Sequence, residues 1–167
     1  MLDKYDAQPG AYTFAHWKNV AILVWYVRAD GESARKATGF ADQLIEKHDR
    51  FSVIHVVEET AGLPTSEGRD VLTAVARKNK QHLACAGLLL PRSPILAAMM
   101  RTFARSMGTI LRGEIEIMID HDMLALATGL APVHATRTTV RCTPHDLVNA
   151  IEQARRFAAR EARAASP

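Results

Sequence analysis

Three stretches of this chain are apolar on both alternations of a strand: "VAILVWYV" (Val20–Val27), "FSVIHVV" (Phe51–Val57) and "ACAGLLL" (Ala84–Leu90). A strand with one face in water alternates apolar and polar residues, so runs of this kind belong to strands covered on both faces. Helices must supply the cover, and the segments between the runs have the spacing for it. Ala37, Phe40, Ala41, Leu44 and Ile45 recur at intervals of three and four after the first run. Val71, Leu72, Val75 and Ala76 do the same after the second, so each set shares one helical face. Strands alternating with helices predict an α/β fold, with a mixed, mostly parallel sheet of about five strands and helices packed on it.

The remaining segments fill in this plan. Tyr12–Lys18 reads as a strand ending in the turn signal Lys18-Asn19, which with Val20–Val27 makes an opening hairpin. Residues 1–11 read as an amino-terminal extension. Ser93-Pro94 is a helix start, since serine can cap and proline fits the first helical position. Leu96, Met99, Met100, Phe103 and Met107 give that helix an apolar stripe. From Glu114 to Ala131 two periods compete. "EIEIMID" alternates like a strand, while Ile115, Met118, Ile119, Met123 and Leu126 fit one helical face, and a helical insertion is expected. Its stripe requires cover from the chain's own sheet or from a second copy, so a homodimer through 114–131 is the expected oligomer. "RTTVRC" (Arg137–Cys142) reads as a short strand, and Thr143-Pro144 repeats the helix-start signal before the last helix. The domain then spans 12–159, followed by a basic tail at 160–167.

Charge and composition exclude several classes. A net charge of +3 is mild, and Arg155, Arg156, Arg160 and Arg163 read as the solvated face of a helix, so nucleic acid is not an expected partner. The longest apolar run has eight residues, against about 20 for a membrane span. The start of the chain lacks a basic-then-apolar leader pattern, and Cys85 and Cys142 read as reduced core thiols, which together point to a cytoplasmic protein.

Two places carry candidate chemistry. In "GLPTSEGRD" (residues 62–70), Thr65 or Ser66 stands where a helix begins, with Glu67 and Asp70 suiting its positive end. Helix capping accounts for all of these features. A phosphate would suit the same position, so a phospho-switch is the second reading. At the carboxyl end of the second apolar run, His55, Glu58 and Glu59, with Arg92 from the next strand end, sit where open α/β sheets place ligands. No nucleophile, glycine-rich phosphate loop or metal-ligand spacing accompanies them. "DHDM" (Asp120–Met123) puts its acids and histidine on different sides of a helix, so neither a metal nor another cofactor is expected.

"FSVIHVVEE" leading into "PTSEGRDVLTAV", then "ACAGLLLP", then "TTVRCTPHDLVNAIEQA", resembles in element order the STAS-type fold of anti-sigma-factor antagonists and SpoIIAA-like proteins. The resemblance spans roughly Tyr12 to Ala159. It implies a non-catalytic regulatory or scaffold module that binds another protein, with the family's phosphoacceptor serine falling on Ser66, or on Thr65 with a one-residue slip. The alternative is a small-ligand or lipid-binding protein, or a minor enzyme, using a pocket near His55 and Glu59. The two readings separate on one observation: the second needs a deep apolar pocket between helices and sheet.

Overall fold

The structure, a computed structural model, describes residues 1–110 and 115–164. Its strands are β1 (Leu2–Gln8), β2 (Tyr12–Trp17), β3 (Val20–Trp25), β4 (Phe51–Val57), β5 (Leu83–Leu89) and β6 (Glu116–Asp120). Helix α1 (Gly31–Lys47) follows β3, α2 (Ser66–Lys78) follows β4 and α3 (Pro94–Ile110) follows β5. After β6 come α4 (Met123–Arg137) and α5 (Pro144–Ala164). The six strands form one sheet in sequence order, antiparallel across β1, β2 and β3 and parallel from β3 to β6. The fold is therefore α/β with a mixed, mostly parallel sheet, and the three apolar runs are three of its four inner strands, β3, β4 and β5.

Because each parallel crossover steps the same way along the sheet, a constant hand places α1, α2 and α3 on one face. That face presents Leu23, Trp25, Phe51, Val57 and Leu88 to Phe40, Leu44 and Met100. The opposite face presents Ile22, Val24, Ile54, Val56 and Leu89 to Leu126, Leu130, Leu147 and Ile151 of α4 and α5. Helix α4 packs tightly on the sheet at Gly87, where a Cβ would lie 2.6 Å from Leu130 Cδ1. Glycine in the middle of β5 is what admits the helix there.

Local chemistry fixes the ends of these elements. Asp30 caps α1 in a reciprocal box with Ser33, and Asp122 caps α4 through the Ala125 N–H. The β2–β3 turn puts Lys18 at φ 51°, and Asn19 beneath it donates to the Arg50 carbonyl at 2.8 Å.

Four readings of the sequence need correction. Residues 1–11 include strand β1, which pairs with β2 along Leu2 to Gln8 and makes the sheet six-stranded. The expected helix over 114–131 begins only at Met123, because Glu116–Asp120 pairs with β5 as an edge strand. A spacing of four is even, so Ile115 and Ile119 satisfy a helical stripe and one face of a strand equally. The stripe of α4 is covered by the chain's own sheet, with Leu126, Ala127, Leu130 and Ala131 buried there. Glu114, the first residue of that reading, lies outside the described residues. Arg137–Cys142 is not a strand. Thr138 exchanges hydrogen bonds with the N–H and carbonyl of Val140, giving the backbone local partners in place of a ladder. Finally, α5 continues to Ala164, into the segment expected to be a tail.

Candidate functional site

Between the sheet and α1–α3 lies a cavity of about 160 Å³. Its floor is made by Leu23, Trp25, Val53, His55, Ala86 and Ile117 from the inner strands and β6. Phe40 of α1, Val75 and Ala76 of α2, and Met100 and Phe103 of α3 form its roof. Two observations explain why it exists. Helix α2 packs on α1 and stands off the sheet, and Gly68 is its only fully buried residue. Its apolar positions Leu72, Val75 and Ala76 remain partly uncovered because they face the cavity. Val53 and Ala86, in the middle of inner strands, are incompletely buried for the same reason.

The cavity runs the length of the parallel strands. Phe51, Leu83 and Asn79 line it at their amino ends, while Val57, Gly62, Pro64 and the exposed Val27 line it at their carboxyl ends. The loop "GLPTSEGRD" thus forms part of its rim.

Among the described residues, Trp25, His55 and Asn79 bring N–H-bearing side chains to this lining. The Trp25 indole N–H donates to His55 Nδ1 at 3.2 Å, and the two rings stack 6° from parallel with centroids 6.3 Å apart. An indole nitrogen can only donate, so Nδ1 must be the acceptor and the neutral ring carries its proton on Nε2. That N–H has no protein partner among the described residues. His55 is half-buried in the cavity floor, and desolvation lowers its pKa from 6.5 to about 4. The ring is neutral at physiological pH. At the other end Asn79 closes α2, accepts from the His82 and Leu83 N–H groups through its carbonyl, and leaves its buried Nδ2 without a partner.

The other candidate residues are held in structural pairs. Glu58 faces the opposite side of the sheet from His55 and pairs with Arg155 of α5 at 2.5 Å. Burial, and then the Glu58 charge, push the neighbouring Tyr26 hydroxyl up to about 12. Glu59 accepts from the backbone N–H groups of Arg92 and Ser93, pinning the loop before α3. Arg92 therefore meets Glu59 through its backbone. His55 and Glu59 are not brought together, and the cavity holds only the first of them.

At the start of α2, Thr65 is the cap: its Oγ1 accepts from the Gly68 N–H at 3.0 Å. Ser66 is the first helical residue and is exposed. It borders a surface groove between α2 and α3, lined also by Leu63, Arg69, Met99 and Phe103, so Phe103 separates groove from cavity.

One cluster had no signal in the sequence. Ser52 Oγ lies 2.7 Å from His134 Nδ1 and 3.1 Å from Cys85 Sγ. These residues are distant in the chain and meet only because α4 crosses β4 and β5. A serine beside an imidazole suggests an activated nucleophile. All three are buried, however, and burial pushes the Cys85 thiol up to about 11. With all three out of solvent and bonded to one another, the cluster satisfies buried polar atoms. Among the described residues no group of His, Cys, Asp and Glu is arranged to hold a metal ion, and no helix is long and apolar enough to cross a membrane. Comparison with protein-family models, curated proteins and solved structures finds no match to this chain.

Proposed function

We propose that this protein is a binding module that takes a small apolar molecule into the cavity between its sheet and α1–α3. The observation that carries this reading is the cavity itself, about 160 Å³ of space left where the central strands would otherwise be packed. An engineered apolar cavity of about 150 Å³ stays dry and accepts benzene, so a ligand of six or seven heavy atoms is the appropriate scale. Leaving such a space empty has a cost of roughly 24 cal/mol per Å³, which a ligand offsets by restoring contacts. Binding is favoured over chemistry because His55 is the one titratable side chain in the lining among the described residues, and no nucleophile or acid accompanies it.

The test is calorimetric titration of the protein with methylenecyclohexane, a compact hydrocarbon, beside the Ala86→Leu variant, in which the new side chain occupies the cavity floor. Saturable binding to wild type that is lost in the variant supports the reading. Absence of binding to wild type by both methylenecyclohexane and its ketone counterpart, cyclohexanone, refutes it.

A second reading is the regulatory module implied by the STAS-type resemblance, acting through a protein partner. The exposure of Ser66 at the first turn of α2, beside the α2–α3 groove, favours it. Partner capture by wild type and not by Ser66→Glu, or the reverse, supports a switch there; equal capture removes it.

A further inference from the structure

We infer that the cavity selects a neutral apolar molecule carrying an oxygen acceptor, such as a small ketone, ester or amide, which accepts a hydrogen bond from His55 Nε2. This rests on the cavity being a ligand site and adds the chemical class of the ligand.

The argument begins with Trp25. Its indole N–H fills the only acceptor position on the His55 ring and thereby fixes the proton on the opposite nitrogen. Stacking against Trp25 holds the ring plane, so the Nε2–H is oriented before any ligand arrives. A donor held this way in an apolar space is costly to leave unpaired, by contrast with one that can turn to water. A pure hydrocarbon would remove whatever water the donor can reach and offer nothing in return. A carbonyl oxygen would pair with it.

The charge of the lining sets the second half of the specificity. Among the described residues, neither Lys nor Arg lines the cavity, and His55 is neutral. An ionised carboxylate would enter without a counter-charge, and desolvating an unpaired anion is prohibitive. Asn79, at the far end, also has a buried N–H group without a partner and no charge. The Asn79 amide nitrogen is itself sealed from the space, so the donor that can reach a neutral acceptor is His55 Nε2. A hydroxyl compound satisfies the same geometry through its oxygen lone pairs but must bury its own proton unpaired, so the carbonyl class is preferred.

The experiment compares three probes of seven heavy atoms each by titration calorimetry at pH 7.5: methylenecyclohexane, cyclohexanone and cyclobutanecarboxylate. Each is titrated into wild type, His55→Phe and His55→Gln. The quantity read is the ratio of the cyclohexanone to the methylenecyclohexane association constant, which cancels changes in cavity shape. It should fall roughly tenfold in His55→Phe, the range set by one buried hydrogen bond. It should be retained in His55→Gln, whose carbonyl can accept from Trp25 while its amide N–H serves the ligand. The carboxylate should not bind.

His55→Phe strips the Trp25 indole of its acceptor. If that variant does not fold, the Trp25→Phe/His55→Phe double variant removes both partners and should give the same tenfold fall. An unchanged ratio in the folded phenylalanine variant overturns the inference while leaving the cavity reading intact. Carboxylate binding as tight as that of the ketone overturns it equally. Failure of both neutral probes to bind wild type overturns the cavity reading and this inference with it.

Discussion

Gly68, in the first turn of α2, lies directly against the carbonyl of Ala29: a Cβ on Gly68 would sit 2.4 Å from Ala29 O. The Thr65 N–H donates to the same carbonyl at 2.9 Å. The loops that follow β3 and β4 are thus closed on each other through backbone, which cannot yield as a side chain can. Gly68→Ala should destabilise the protein by about 1–3 kcal/mol, read as a lowered denaturation midpoint with unchanged slope. A midpoint equal to wild type would show that the two loops separate freely.

Thr65 and Ser66 should respond differently to alanine. Thr65→Ala removes the acceptor for the Gly68 N–H and should cost about 1 kcal/mol. Ser66→Ala should stay within about 0.5 kcal/mol, because its exposed hydroxyl makes no bond that stabilises the helix. Ser66→Asp should be tolerated, since a negative charge suits a helix start. Urea denaturation of the three variants tests this, and equal losses at 65 and 66 would contradict the assignment of the cap.

Acid should loosen the site before it unfolds the rest. The folded pKa of His55, about 4, is below its unfolded value of 6.5, so between these values the unfolded chain binds more protons. Stability from this group is complete above pH 6.5 and is lost as pH falls toward 4, on the order of 3 kcal/mol in all. Burial also lowers the pKa values of His48 and His134, which act in the same direction. The comparison must therefore be with His55→Gln, whose stability should decline less over pH 6.5 to 4. Parallel curves for the two proteins would show that His55 is solvated.

Filling the cavity should stabilise the free protein. Ala86 on β5 faces the space between Val53 and Ile117, so Ala86→Leu adds apolar volume where packing is missing. A gain of about 0.5–2 kcal/mol in thermal or chemical denaturation is expected. A loss of more than about 1 kcal/mol would mean that the space is already occupied by well-packed side chains.

The inner strands were legible because burial on both faces leaves a composition that nothing else explains. The cap at Thr65 was legible for a similar reason, as hydroxyl, acid and proline converge on one helical position. Strand β6 was not, because Ile115 and Ile119 satisfy both periods and only pairing with β5 decides between them. Strand β1 was hidden because "LDKYDAQ" is largely polar, as an edge strand can be, and its recognition depends on β2 lying beside it. The cavity was beyond any reading of periodicity. His55 was singled out by its position on a strand, but its partner Trp25 is 30 residues away. Whether an apolar helix face touches the sheet or stands clear of it depends on distances that no local pattern encodes.

The one-way order of the strands also sets a timetable for synthesis. Every helix made before Met123 belongs to the α1–α3 side, so a ribosome that has just completed β6 has delivered the whole sheet with its other face bare. Ile22, Val24, Ile54, Val56 and Leu89 then wait for α4 and α5, the elements that emerge after β6. During that interval the nascent chain presents a broad apolar surface of the kind that holding chaperones recognise and that aggregates when unprotected. Folding of the two faces is sequential by construction, and a late stall in translation would be more hazardous to this protein than an early one.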